Sequence, residues 1–315
     1  MKTLSIIIPQ YNETEEDMFA LLSVLNLQED CDFNDFDVTI VNDCSDTIIS
    51  DEYLSQFKNL HINKERMEKN SGCGLARQRG IDVTSSEYIM FIDADDLVFS
   101  ITTITKLLRQ LKEHRPDVLR GYYLQEAPAT DGSFRFLKYN AITWVHSKVY
   151  KREYLEKYKI TFPDYRVNED GYFNTVVFNL PADVLDVDDF MIIYRFNKNS
   201  ITRQDAANFF IKSQKYIFLG KDDAFEKCKH WLTDEDQERM AIQILTFFYF
   251  QAQTRTEEDL KPFKKDYKYI YKKYKWCLKN ERTFLKYYQD MRLNMYNDPY
   301  YKERETFEQF WKKYE

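Results

Sequence analysis

Residues 88–96 read Tyr-Ile-Met-Phe-Ile-Asp-Ala-Asp-Asp, an apolar run that stops abruptly in three carboxylates. Ile89, Met90, Phe91 and Ile92 show no polar alternation, the pattern of a strand covered on both faces in a parallel sheet. Asp93, Asp95 and Asp96 then fall just past its carboxyl end, the edge on which open α/β sheets bind ligands. Carboxylates this close repel one another unless a positive charge stands among them, and a hard divalent cation is the usual answer. A solvated acidic turn is the plain alternative for one such triplet. The surrounding segments decide between the two.

Residues 4–8 read as a buried strand closed by Pro9. A turn through Tyr11 and Glu13 leads to a helix over 15–27, with Met18, Leu21, Leu22 and Leu25 at helical spacing. A second strand over 36–41 ends in Asn42-Asp43-Cys44-Ser45-Asp46. A short helix over 51–57, a strand over 60–63 and a helix from Asn70-Ser71-Gly72 to Val83 follow. This rhythm predicts right-handed βαβ units and a mostly parallel sheet, with three polar strand ends meeting on one edge. A helix over 102–114 comes next, then strands over 118–124 and 133–137 around an Ala-Thr-Asp-Gly turn. Helices over 152–157 and from Asn168-Glu169-Asp170 to 178 precede strands over 182–187 and 191–196. From about residue 205 the chain reads as helical. There Phe263, Tyr267, Ile270, Tyr274, Leu278, Leu285 and Tyr288 form a stripe near 3.6 spacing behind Pro262.

A chain of 315 residues that is 43% hydrophobic has room for one large domain or two modest ones. The expected division is a catalytic domain over 1–204, with halves at about 1–100 and 101–204, and a helical region over 205–315. Seven glycines and seven prolines argue against long disordered linkers. Five scattered cysteines without a C-x-x-C pair argue against a disulfide framework and for a reducing, cytoplasmic setting. The short apolar start differs from a signal peptide, and no window approaches membrane-span length. The net charge of −7 argues against a nucleic-acid partner, although residues 261–286 carry ten basic and only two acidic side chains.

Five segments then occur in order: Ser5-Ile6-Ile7-Ile8-Pro9-Gln10-Tyr11-Asn12-Glu13, Val41-Asn42-Asp43, Asn70-Ser71-Gly72 with Ala76-Arg77, Phe91-Ile92-Asp93-Ala94-Asp95-Asp96, and Glu169-Asp170. Together they resemble an inverting family 2 glycosyltransferase of the GT-A fold. The resemblance covers about residues 1–203, through Trp144, Lys148, Phe162-Pro163 and Arg195…Asn199-Ser200-Ile201-Thr202. It implies a Rossmann-like α/β domain, mostly parallel with flanking helices, followed here by an all-helical appendage. It also implies a UDP-sugar donor, a glycan or glycolipid acceptor, and Mn²⁺ or Mg²⁺. By the same resemblance Pro9, Tyr11, Glu13, Asp43, Arg77 and Asp93 contact the nucleotide, Asp43 accepting the pyrimidine N–H and Arg77 facing the nucleotide. Asp95 ligates the metal and Asp170 is the catalytic base. Trp144, Glu169 and Arg195 face the acceptor or close over the site. Asn42 departs from the second acid common at that place in the family.

Plain readings stand beside these roles. Asp43 can cap a turn, Tyr11 and Trp144 can be core, and Asp170 suits a helix start for electrostatic reasons alone. Asp96 is expected to be structural and His146, which lacks metal spacing to the other histidines, not a ligand. Arg195, Lys198 and Arg203 suit a lid over the diphosphate or a solvated loop. The Lys-rich, Tyr-rich C-terminal helices suit an anionic membrane surface or polymer, placing the protein at the inner face of the membrane, or a homo-oligomer contact. The expected function is transfer of a hexose or N-acetylhexosamine to a surface polysaccharide, teichoic-acid-like polymer or lipid-linked glycan. The alternative is a glycosyltransferase-like carbohydrate-binding or scaffolding protein without turnover.

Overall fold

The structure, a computed structural model, describes residues 2–140, 142–197, 206–296 and 303–315. The chain divides into two compact units, Met1–Asp205 and Ala206–Glu315.

The first unit is built on one nine-stranded sheet. In chain order it contains β1 (Leu4–Gln10), α1 (Glu15–Asn26), β2 (Phe36–Asn42), α2 (Asp51–Leu54), β3 (Ile62–Arg66), α3 (Cys73–Val83) and β4 (Tyr88–Phe91). Then come β5 (Leu97–Val98), α4 (Thr103–His114), β6 (Val118–Pro128), β7 (Phe134–Tyr139), β8 (Lys148–Lys151), α5 (Arg152–Lys157), α6 (Glu169–Asn179) and β9 (Val184–Tyr194). The spatial order is β3-β2-β1-β4-β8-β6-β9-β5, with β7 paired to β6. The four N-terminal strands are parallel, as the βαβ rhythm predicts. In the second half β8 runs antiparallel to β4 and β6, and β6 is parallel to β9. The first four strands are therefore wholly parallel, the later ones combine both directions, and the sheet as a whole is mixed.

Alternation along β1 sorts the core into two layers. Leu4, Ile6 and Ile8 join Met18, Leu21, Leu22 and Leu25 of α1 and Ile104, Leu107 and Leu111 of α4. Thr14 caps α1 in a reciprocal box with Asp17, which sets where that helix begins. On the other face, Phe162 and Phe173 stack at 4.1 Å, with Phe91 edge-on to both. This aromatic floor fastens α6 to β4.

Two expectations need correcting, and one strand is additional. Pro9 does not close β1, which continues to Gln10 beside β2. The Ile7 carbonyl accepts from Ile92 and the Gln10 carbonyl from Asp43, so alternation turns the Pro9 nitrogen toward β4. The β4 ladder ends at Phe91, opposite Ile7, and no N–H is needed there. The two strands expected over 182–196 are one long β9, whose pairing to β6 slips around Arg120–Tyr123. The two-residue β5 was not foreseen, being too short for any periodicity.

The second unit is helical: α7 (Ala206–Cys228), α8 (Asp234–Gln253), α9 (Glu257–Leu260), α10 (Lys264–Tyr274), α11 (Glu281–Tyr296) and α12 (Phe307–Lys312). Its core is aromatic. Phe218 stacks on Phe248 at 4.2 Å, and Tyr267 meets Phe218 and Phe310 edge-on. Phe263, Tyr267, Ile270 and Tyr274 are buried as their spacing predicts. A 3₁₀ stretch over Lys275–Lys279 then breaks the helical phase, leaving Leu278 half-buried and Leu285 exposed. Asp222 receives Lys273 at 2.6 Å and the Tyr269 and Tyr274 hydroxyls, so part of the basic aromatic face is satisfied within the unit. Among the described residues no helix is long and apolar enough to cross a membrane.

Candidate active site

The strand ends of the first unit bring the acids together. Past β4 the chain turns tightly, the Asp96 N–H donating to the Asp93 carbonyl. Asp96 is buried, and one carboxylate oxygen accepts the Arg195 backbone N–H at 3.0 Å. Among the described residues its other oxygen has no hydrogen-bond partner, and it lies 3.5 Å from His146 Nδ1. Ligating atoms of Asp93, Asp96 and His146 lie within 4.8 Å of one another. Asp95 is half-buried and accepts the Asn197 side-chain amide at 2.9 Å.

Their protonation shows what the site lacks. Burial, with Asp93 and Asp95 alongside, pushes the Asp96 carboxyl well above the usual carboxylate range. Burial likewise raises Asp95, and it lifts Glu13 to about 7 against a hydrogen bond from the Tyr11 N–H. Burial pushes His146 down to about 4, so its imidazole is neutral at pH 7 and able to ligate a metal. Among the described residues these carboxylates outnumber the cations set among them. Oxygen and imidazole donors around an orphaned buried oxygen fit a divalent cation such as Mn²⁺ or Mg²⁺.

Arg77 is a buried cation at the centre of the site. Its guanidinium, 3% exposed, gives one nitrogen to Asp93 at 2.7 Å and another to Glu169 at 3.0 Å. Burial alone would lower its pKa, but Asp93, Glu169 and Asp170 outweigh that and hold it charged. The same guanidinium overrides the burial of Asp93 and keeps that carboxylate ionised. Arg77 thus bridges the end of β4 and the start of α6. Gly74 makes the bridge possible. A Cβ there would stand 2.6 Å from Glu169 Cγ, so only glycine lets α3 pass this close.

Asp170 follows Glu169 in the first turn of α6, entered through Asn168 in a left-handed conformation. One Asp170 oxygen accepts the Gly171 N–H at 2.7 Å. Burial lifts its carboxyl to about 7, with Glu169 adding to the effect and Arg77 opposing it. Asp43, 3% exposed, accepts the Ser71 and Gly72 backbone N–H groups, each at 2.7 Å. Asp43 thus pins the loop that enters α3. Asn42 is satisfied by Gln10, Thr47, Ser45 and Arg66.

The remaining expected residues fall as follows. Pro9 is buried in β1, whereas Tyr11 is exposed beside Glu13 and accessible to a ligand. The Arg195 side chain is exposed, and its backbone holds Asp96. Lys198, Arg203 and Asn199-Ser200-Ile201-Thr202 lie outside the described residues. Trp144 is exposed, with rings of Tyr123, His146 and Tyr194 around it. Buried Lys148, its pKa pushed down to about 7 by burial, donates to the Trp144 and His146 carbonyls at 2.6 and 3.2 Å.

Sequence reasoning set aside His146 and Asp96. The signal lies in register: β8 runs antiparallel to β4 with Met90 opposite Val149, and extending that pairing by three residues sets His146 opposite Asp93. It could be read only once the direction of β8 was known. Gly74→Ala is expected to displace Glu169 and leave Asp93 as the sole partner of Arg77. The thermal midpoint should then fall at unchanged fold by circular dichroism, because a buried guanidinium loses one of its two ionised partners. An unchanged midpoint would show that the close approach is not constraining.

Comparison with known proteins agrees with this geometry. The sequence profile of "Glycosyl transferase family 2" matches residues 5–166, half of the chain. Glycosyltransferase GlyA of Streptococcus pneumoniae is 24% identical over 227 residues, covering 64% of this chain and 31% of that protein. Poly(ribitol-phosphate) beta-N-acetylglucosaminyltransferase TarP of Staphylococcus aureus is 26% identical over 192 residues, covering 56% and 58%. The chain thus spans less than two thirds of the length of these curated relatives. The crystal structure of residues 1–349 of S. aureus TarS superposes with a TM-score of 0.67 at 18% identity, covering 93% of this chain and 92% of that one. That likeness carries the GT-A fold, helical appendage included. The ordered strand ends, the acid triplet and the profile agree, and the chain belongs to glycosyl transferase family 2.

Proposed function

We propose that the first unit transfers a sugar from a nucleoside-diphosphate donor to an acceptor hydroxyl, inverting the anomeric centre, with Asp170 as general base. The observation that carries this reading is the bridge of buried Arg77, which sets Asp93 at the strand end and the Glu169-Asp170 pair against one charged group. A carboxylate whose pKa is near 7 is matched to taking a proton from a hydroxyl at neutral pH. Gly171 holds one oxygen of Asp170, which leaves the other to receive the proton as the acceptor attacks opposite the diphosphate. Glu169, fixed by Arg77, keeps Asp170 in place and does not itself take the proton.

The donor side is the rim of Tyr11, Glu13, Asp93 and Asp95, over the loop that Asp43 pins. UDP is the favoured nucleotide and a hexose or N-acetylhexosamine the favoured sugar. The TarS fragment has been crystallised in complex with UDP and with UDP-GlcNAc, and TarP acts on poly(ribitol-phosphate) by its name. The acceptor class proposed is a surface polysaccharide, teichoic-acid-like polymer or lipid-linked glycan. Asp93, Asp96 and His146 would hold Mn²⁺ or Mg²⁺, with Asp95 beside them. The ion supplies neutralisation of charge growing on the leaving diphosphate. Trp144 offers a ring face to the transferred sugar or the acceptor.

Asp170→Asn is expected to lower turnover about 100- to 10,000-fold with UDP affinity nearly unchanged. The sign of the pH dependence follows from the raised pKa. The competent form is ionised, so wild-type kcat/KM should climb as pH rises to about 7 and level off above it, and the variant should lack that limb. Near-normal turnover by Asp170→Asn would refute the base assignment.

For the ion, Mn²⁺ is expected to raise the thermal midpoint of the wild type with UDP present, and His146→Ala should remove that increment. An increment that survives His146→Ala but is lost in Asp95→Ala would move the ion to Asp95.

A further inference from the structure

The hairpin of β6 and β7 leaves the sheet with an unusual surface. All six residues of β7 are exposed, including Phe134, Phe136, Leu137 and Tyr139. Folded chains rarely leave apolar side chains massed on an edge strand without a use for them. The register sorts them by face. Tyr123 lies opposite Tyr139, Gln125 opposite Leu137 and Ala127 opposite Arg135, so Tyr139, Leu137 and Arg135 share the face of Tyr123. Tyr123 stacks on Tyr139 with centroids 5.6 Å apart, and it touches Trp144 and His146 at 5.8 Å each. A line of exposed side chains therefore runs from the candidate metal cluster through Trp144, Tyr139 and Leu137 to Arg135. At strand spacing the last three cover about 13 Å. On the opposite face Lys138 lies over the Tyr122 ring at 3.6 Å and Phe134 packs near Phe196, while Phe136 is exposed.

The geometry points to an acceptor track: Trp144, Tyr139, Leu137 and Arg135 bind the part of a long, negatively charged polyol or glycan chain that lies beyond the reacting unit. This rests on the transferase reading for its acceptor, and two observations choose the occupant. The line is continuous with the site through Tyr123, and it closes on an exposed guanidinium. Ring faces and a leucine suit the C–H faces of repeating hydroxylated units, and Arg135 suits a phosphodiester or carboxylate between them.

The test is equilibrium binding of ribitol-phosphate oligomers, a trimer against a dodecamer, to the full chain without donor. The wild type should bind the dodecamer more tightly, beyond the gain from repeat number alone. Arg135→Glu and Tyr139→Ala should each weaken dodecamer binding about tenfold and trimer binding far less. Phe136→Ala, on the opposite face, should bind like the wild type. Equal affinity of the wild type for both lengths, failure to bind either, or an equal loss in Phe136→Ala would overturn the track. An equal loss accompanied by a change in sedimentation would identify the edge as a contact between copies. Because no donor is present, the outcome separates from that of the transferase reading: a protein that turns over no nucleotide sugar yet shows these differences keeps the track and loses the catalysis.

Discussion

The buried guanidinium of Arg77 is the interaction on which the catalytic unit turns. Removing a charge from water is costly unless ionised partners satisfy it, and breaking such a set by deleting one member leaves the others uncompensated. Here the partners come from distant segments: Asp93 from the end of β4 and Glu169 from the first turn of α6. A surface ion pair would tie these segments only weakly, whereas a buried bifurcated one fixes their separation. Beneath it, Phe162 lies 5.9 Å from the guanidinium and stacks on Phe173, so the bridge and the aromatic floor hold α6 from both sides.

The bridge also explains the charge state of the site. Arg77 keeps Asp93 ionised, while burial raises Glu13, Asp95, Asp96 and Asp170. Among the described residues Arg77 is the buried cation paired directly with Asp93 and Glu169, with Arg195 near Asp95 and Asp96. Under the proposed function a diphosphate would bring still more negative charge to the donor side, and a raised pKa suits Asp170 to the role of base. In that reading a single guanidinium stands between acids suited to an ion and one suited to a proton.

Much of the fold was legible because its signals are local. Buried spacing in α1, the apolar run of β4 and the alternation of strands with helices all survive in the structure. The acid triplet and the Glu169-Asp170 pair were legible for the same reason, each being a short motif at the edge of an element. What escaped depends on long-range geometry. His146 gains significance only from the antiparallel register of β8 against β4. The contact of Arg77 with Glu169 escaped as well, because nothing in its neighbours Ala76 and Gln78 shows that Glu169 will approach Gly74. The loop contacts of Asp43 escaped likewise, since the backbone N–H groups it accepts belong to residues 28 and 29 positions away. The stripe of the C-terminal helices continued past its true end because spacing does not reveal the 3₁₀ turn that breaks its phase.

The most direct measurement is a double-mutant cycle on kcat/KM with Arg77→Met, Glu169→Gln and the pair together. If the guanidinium and Glu169 act as one unit that places Asp170, the expected result is strong non-additivity, a coupling of about 0.5–3 kcal/mol, with the double variant no worse than the poorer single one. Losses that simply add, within about 0.5 kcal/mol, would mean the two residues act independently and would contradict the bridge as the organiser of the site.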